Sequence, residues 1–143
     1  METWDAIRSR RDVRQFRDEA LPRERLERIL EAGRRSPSAS NWQPWDFVVV
    51  TDREALTDLA KVWQGARHVG QSAATIALIA SEPENEQQGT RLRYDLGQAT
   101  AFMMLAAADL GIGSGHSAVG DQTQAKRVLG FPDGRFCAFD SAR

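Results

Sequence analysis

Residues 90–110, TRLRYDLGQATAFMMLAAADL, form the longest helical pattern in the chain. Apolar side chains recur at helical spacing along one side of this segment, at Leu92, Leu96, Ala99, Phe102, Met103, Ala106 and Leu110. Much of the other side is also apolar, because it carries Ala101, Leu105 and Ala108. A helix that is apolar nearly all round is buried or shared with a partner chain. The segment therefore predicts the centre of the fold, and a surface that a second chain could cover.

The rest of the sequence predicts short helices and short strands around this segment. Helices are expected at residues 2–9, at 23–35, from a cap at Thr51 or Asp52 to about Val62, and at 122–129. β-branched or apolar runs bounded by turn formers predict strands at 47–50 and 75–80, and the start of another at 136–139. Residues 82–89 are expected to form a polar loop. No internal repeat or linker divides the chain, so one domain is expected.

Composition limits the partners and the compartment. The chain has 143 residues, of which 19 are basic and 20 acidic, and its formal net charge of −1 provides no global field to attract nucleic acid or an anionic membrane. The single cysteine, Cys137, excludes an intrachain disulfide and fits a reducing compartment. No apolar run approaches the roughly 20 residues that span a bilayer, and the first residues lack the apolar stretch of a signal peptide. We therefore expect a cytoplasmic protein without a nucleic-acid or membrane partner.

Four arginines crowd the end of the first predicted helix, at Arg8, Arg10, Arg11 and Arg14. A planar guanidinium group matches two phosphate oxygens at once, so this cluster suits a phosphate. The alternative is a basic face that only contacts solvent.

Two loops could contact a ligand. Residues 36–45, SPSASNWQPW, are here called the serine loop; they offer hydroxyls, two amide side chains and two tryptophans, which suits an aromatic heterocycle with polar edges. A rigid turn whose tryptophans fill the core is the alternative. Residues 111–120, GIGSGHSAVG, are here called the glycine-rich loop, in which the backbone can approach a ligand closely. No dinucleotide fingerprint is present, because this loop follows a helix and not a strand.

No other catalytic centre is indicated. His68 and His116 lack further ligands at metal-binding spacing, and Ser114 and Ser117 lack the pattern of a hydrolase nucleophile. Cys137 lies in an apolar run and is interpreted as a small core residue. We therefore expect neither a metal site nor a dedicated catalytic acid, base or nucleophile.

Four segments, taken in order, resemble the nitroreductase family along almost the whole chain. They are RRDVRQF at 10–16, PSASNWQPW at 37–45, DLGQA at 95–99 and LGIGS at 110–114. The resemblance implies an α+β fold in which helices surround a small, mostly antiparallel sheet. It also implies an intertwined homodimer with two FMN sites at its interface.

The resemblance further implies which residues contact FMN. The arginines at 10, 11 and 14 would grip the phosphate and the pyrimidine edge of the flavin, the serine loop would come from the partner subunit, and backbone N–H groups of the glycine-rich loop would lie near flavin N5. Gln64 would point its amide toward the ring. The implied cofactor-binding residues are Arg10, Arg11, Asp12, Arg14, Pro37, Ser38, Ala39, Asn41, Gln64, His116, Ser117 and Ala118.

The implied function is that of an FMN-dependent oxidoreductase with a ping-pong cycle. NAD(P)H would donate hydride to FMN, and a nitroaromatic, quinone or similar acceptor would then be reduced; the cofactor carries this chemistry, and the protein supplies orientation and electrostatics. Two alternatives stay open. One is a flavin-binding remnant without turnover, and the other is an enzyme similar to the flavin-cleaving dimethylbenzimidazole synthases, a branch that shares Arg-Arg-Asp-x-Arg.

Two departures from the family pattern stand out. Position 12 is Asp where many members have Ser, which puts a carboxylate beside the implied phosphate site. Members also continue from the strand at 136–139 into an arm that wraps the partner. The single domain, residues 1–143, is therefore expected to lack that arm and to leave the edge of its last strand open.

Overall fold

The structure is a computed structural model that describes residues 1–138. It contains five α-helices: α1 Thr3–Ser9, α2 Arg23–Arg34, α3 Arg53–Leu59, α4 Glu86–Asp109 and α5 Gln122–Leu129. It contains three strands: β1 Asp46–Val50, β2 Thr75–Ser81 and β3 Arg135–Cys137. Short 3-10 turns lie at Ala39–Asn41 and Arg67–Gln71.

The three strands form one antiparallel sheet in the order β1-β2-β3. Val48 of β1 lies opposite Ala77 of β2, and Phe136 of β3 lies opposite Ala80. The β-branched run of β1 and the apolar run of β2 explain why these segments pair at the centre of the molecule. The α+β class expected from the resemblance, with helices around a small antiparallel sheet, is confirmed.

The core lies on both faces of this sheet. Ala77 and Ile79 of β2 pack on the side of α3 and α5, whereas Leu78 and Ala80 pack on the side of α4. Successive residues of a strand point to opposite faces, so one strand divides the two halves of the core. The second half is filled by buried α4 side chains, Leu92, Leu96, Ala99 and Met103, with Ile29 of α2.

Several predicted boundaries were wrong. Helix α4 begins at Glu86, inside the predicted 82–89 loop, because the Asn85 side chain accepts a hydrogen bond from the backbone N–H of Gln88 at 2.9 Å and caps the helix. Helix α3 ends at Leu59, three residues earlier than expected. The last strand begins one residue earlier than predicted, at Arg135, and its predicted end at Phe139 lies outside the described residues.

The edge of β3 is not open along its whole length. The side-chain amide of Gln122 donates to the carbonyl oxygen of Cys137 at 2.8 Å and accepts from its backbone N–H at 2.9 Å. One side chain thus occupies the ladder positions that a further strand would fill.

Helix α4 is buried on one side only. Leu92 and Leu96 are buried, but Tyr94 is 71% and Phe102 is 41% exposed. Phe102 was expected on the same side as Leu96; six residues of α-helix turn through about 600°, which puts it well away from that side. None of the helices within residues 1–138 is long and apolar enough to cross a membrane.

Candidate functional site

A backbone bridge joins two parts of the sequence that resemble cofactor-binding motifs. The N–H of Val13 donates to the carbonyl oxygen of Ser114 at 2.8 Å, and Asp12 pairs with Ser114 as an isolated parallel bridge. Residues 10–14, here called the arginine segment, therefore lie alongside the glycine-rich loop.

Two glycines make this close approach possible. A Cβ atom added at Gly115 would lie 2.3 Å from the carbonyl oxygen of Val13, and one at Gly113 would lie 3.1 Å from the Val13 side chain. The sequence predicted that these glycines admit a ligand. In the structure they admit another segment of the same chain, and the ligand-facing role remains a prediction for residues 116–118.

Charges around Asp12 are balanced locally. The Arg10 guanidinium lies 3.2 Å from Asp12 Oδ1, and His116 Nδ1 lies 3.6 Å from the same oxygen. Arg11 donates to the backbone carbonyl oxygens of Arg8 and Arg10, each at 2.8 Å. The Arg14 guanidinium makes none of the hydrogen bonds or ion pairs found within residues 1–138. Asp12 thus has the Arg10 guanidinium as its own positive neighbour, and Arg14 is exposed and available to an anion.

A cavity of about 210 Å³ opens beside the glycine-rich loop. His116, Ser117 and Ala118 lie at its wall, and so do buried residues that reach into the core, among them His68, Met103 and Met104. Pockets for cofactors and drug-sized ligands usually measure roughly 300–1,000 Å³. This cavity is therefore too small to enclose a flavin by itself.

The serine loop has backbone angles that are rare for residues other than glycine, and the buried carboxylate of Asp95 is hydrogen-bonded to it. Ser40, Asn41 and Gln43 have positive φ angles of 51°, 55° and 50°. The backbone N–H of Ala39 and the indole Nε1–H of Trp42 both donate to Asp95 Oδ2, at 3.0 and 2.7 Å. Sequence reasoning missed Asp95 as a site residue, although a carboxylate at a core position of a largely apolar helix is a detectable signal.

Further hydrogen bonds stay within the serine loop. Ser38 Oγ accepts from the backbone N–H of Gln43, and Asn41 Oδ1 accepts from the side-chain amide of Gln43, both at 3.0 Å. The polar groups of Ser38 and Asn41 thus shape the loop that carries them.

Within one chain the predicted site residues fall into separate groups. Arg10, Asp12 and His116 lie together, whereas no hydrogen bond or ion pair found within residues 1–138 joins residues 37–41 to the arginine segment. Asp95, which holds the serine loop, lies about 21 Å along α4 from Asp109, where the helix ends. Asp109 is two residues before the start of the glycine-rich loop. Gln64 is exposed in a separate surface concavity with Trp63 and Arg67.

Cys137 is buried in the core, as the sequence interpretation expected. Burial raises the pKa of its thiol to about 12, so the nucleophilic thiolate is scarce at neutral pH. The structure therefore gives this cysteine no catalytic role.

Comparison with known proteins agrees with this architecture. A protein of Archaeoglobus fulgidus, provisionally named NADH dehydrogenase/NAD(P)H nitroreductase, is 35% identical over 108 residues, which cover 76% of this chain and 62% of that protein. The present chain thus spans less than two thirds of that relative. The crystal structure of a nitroreductase family protein from Clostridium novyi NT superposes with a TM-score of 0.88 and 26% identity, covering 96% of this chain and 80% of that one.

A second solved structure extends the likeness in fold. It is named an FMN-dependent nitroreductase of Clostridium difficile R20291, and it superposes with a TM-score of 0.82 at 21% identity, covering 98% of this chain and 88% of that one. The sequence model of the nitroreductase family matches residues 7–88, more than half of the chain. The chain belongs to the nitroreductase family.

Proposed function

We propose that this chain is one subunit of a homodimeric, FMN-dependent oxidoreductase. It takes hydride from NAD(P)H and passes it to a nitroaromatic, quinone or similar small acceptor. The observation that carries the proposal is the bridge from Val13 to Ser114, because it places a cluster of arginines beside the backbone of the glycine-rich loop.

The arginine segment fits the phosphate of FMN. Arg14 is exposed and makes no hydrogen bond or ion pair within the described chain, so its guanidinium can take two phosphate oxygens. Arg11 is anchored to two backbone carbonyl oxygens through Nη1, which fixes its position. Its remaining N–H groups are left to donate to a phosphate. Arg10 offsets the charge of Asp12. The carboxylate at position 12 is therefore compatible with a phosphate nearby.

The glycine-rich loop fits the polar edge of a flavin ring. The backbone N–H groups of Ser117 and Ala118 donate to no acceptor found within residues 1–138. Unused N–H groups beside a cavity are suited to donate hydrogen bonds to a ligand and to stabilise negative charge that builds on it. When bound, FMN supplies the hydride chemistry, and these residues supply position and charge stabilisation. This division of work needs no side chain as acid, base or nucleophile.

A second copy of the chain would complete the site. The cavity beside the glycine-rich loop is too small for FMN. Asp95 holds the serine loop about 21 Å along α4 from the end of this helix, which lies next to the glycine-rich loop. The outward side of α4 exposes Tyr94 and Phe102, and α1 exposes Trp4 at 68% and Ile7 at 47%. Helices α1 and α4 are in contact, and exposed apolar side chains on neighbouring elements are typical of an interaction surface. As the family resemblance implies, a partner covering this surface would bring its own Pro37, Ser38, Ala39 and Asn41 to the arginine segment.

Reduction of bound FMN tests the proposal directly. The purified protein is loaded with FMN, freed of unbound cofactor, and mixed with NADH or NADPH without oxygen. We expect the visible flavin absorbance to disappear with at least one nicotinamide and to return when a nitroaromatic or a quinone is added. A protein that retains no FMN would contradict the proposal. Bound FMN that neither nicotinamide reduces would show a flavin-binding protein without turnover.

A further inference from the structure

Asp95 is a carboxylate that α4 holds in the core. Its residue is 2% exposed, and none of the ion pairs found within residues 1–138 includes it. A buried carboxylate is costly unless hydrogen bonds satisfy it. The groups that donate to Asp95 therefore matter more than those around an exposed carboxylate.

The two short hydrogen bonds to Asp95 come from the serine loop. Ala39 donates through its backbone N–H and Trp42 through its indole N–H, and both reach Oδ2. The amide of Gln98, one helical turn along α4, lies 3.4 Å from Oδ1. Hydrogen bonds to a charged acceptor are the stronger kind, so this pair of contacts ties the loop firmly to the helix.

The loop needs such a tie because its backbone is strained. Three non-glycine residues with positive φ within four positions persist only where the surroundings fix them. The hydrogen bonds of the Ser38 and Asn41 side chains stay inside the loop. Of the side-chain hydrogen bonds in the described chain, those to Asp95 connect the loop to the body of the protein.

We propose that Asp95 is a positioning residue that holds the serine loop in the conformation in which Ser38 and Asn41 reach the flavin of the partner subunit. Ala39 and Trp42 are the two points at which it acts. The flavin part of this inference rests on the proposed function, whereas the holding of the loop does not.

Amide hydrogen exchange tests the holding of the loop without any cofactor. In Asp95→Asn, which keeps the side chain's shape and removes its charge, we expect the Ala39 amide to exchange about tenfold faster or more, since the opening of one charge-assisted bond is made easier. Amides at residues 99–107 of α4 should keep their protection.

Leu56→Val is the control, because Leu56 is fully buried in the other half of the core. This substitution should loosen the fold without a special effect on the exchange of the Ala39 amide. Wild-type exchange at Ala39 in Asp95→Asn would overturn the inference.

FMN titration tests whether Asp95 positions the serine loop for flavin binding. A double-mutant cycle tests whether Asp95 acts through Trp42. Asp95→Asn and Trp42→Phe, which loses the indole N–H, should each weaken FMN binding by about tenfold, and the double variant by less than the product of the two factors. Weakening no greater than that in Leu56→Val, or fully multiplicative effects, would overturn the positioning role. If the wild-type protein binds no FMN, the proposed function fails and the flavin role of Asp95 with it; the exchange at Ala39 still decides whether Asp95 holds the loop.

Discussion

Arg14 offers the most direct residue-scale test of the proposed phosphate site. It is exposed and unpaired within the described chain, so replacing it removes little from the fold. We expect Arg14→Ala to weaken FMN binding about tenfold or more, since a hydrogen bond to a charged group contributes about 1.5–3 kcal/mol and each 1.4 kcal/mol is tenfold in affinity. Titration of FMN into the apoprotein measures this. Arg17→Ala, another exposed arginine three residues on, should bind as the wild type does; equal loss in both variants would indicate a general charge effect.

Gly115 tests whether the bridge to Val13 builds the site. In Gly115→Ala the new methyl group would lie 2.3 Å from the Val13 carbonyl oxygen, so one of the two segments must move. We expect a loss of about 1–3 kcal/mol in the free energy of unfolding, as overpacked positions show, together with weaker FMN binding. Denaturant unfolding and FMN titration measure the two effects. Gly70→Ala is the matched control, because its Cβ would meet no atom closer than 3.4 Å. Unchanged unfolding of Gly115→Ala would show that the segments are not held this closely.

At the scale of elements, Gln122 links the start of α5 to the edge of β3. Its side chain replaces a strand by pairing with both backbone groups of Cys137. In Gln122→Ala those two groups lose their partner where the chain is largely buried, and we expect a loss of about 1–3 kcal/mol in the free energy of unfolding. Thermal or denaturant unfolding checks this against Thr123→Ala, the exposed next residue. Equal stability of the two variants would mean that water replaces the amide without cost.

Elements whose signals are local could be predicted from the sequence. The predicted range of α5 matches the structure, because Asp121 caps its start and Gly130, with a φ of 71°, ends it. Strands β1 and β2 followed from apolar runs bounded by turn formers. The start of α4 was missed because Asn85 lies among polar residues that resemble a loop.

Features that depend on distant contacts could not be predicted in this way. The shape of the serine loop is set by Asp95, which lies 56 positions from Ala39, and spacing along the chain gives no sign of that contact. The pairing of Val13 with Ser114 and the role of Gln122 at the sheet edge are of the same kind. The resemblance to a family supplied the candidate residues, but the fold alone shows which of them meet within one chain.

On the scale of the whole molecule, the exposed side of α4 suggests how two copies would meet. Tyr94, Gly97 and Ala101 lie at helical spacing on that side. Apart from its chain neighbours and the backbone of its own helix, nothing within residues 1–138 lies within 4 Å of where a Cβ would stand at Gly97. A glycine at an outward position allows a neighbouring helix to approach closely. In a symmetric dimer the same patch would face itself, so any change there acts twice.

We expect Gly97→Arg to separate the two copies. The substitution would place two like charges opposite each other in an apolar contact, which costs several kcal/mol, or about a hundredfold or more in the dissociation constant of the dimer. Because no other part of the described chain occupies that space, the folded subunit should survive as a monomer with weakened FMN binding. Sedimentation velocity over a range of concentrations measures the association. Thr123→Arg, an exposed position on α5, controls for the added charge and should leave the dimer intact. A wild-type protein that stays monomeric while loaded with FMN, or a Gly97→Arg dimer as tight as the wild type, would show that the flavin site does not need two chains joined through α4.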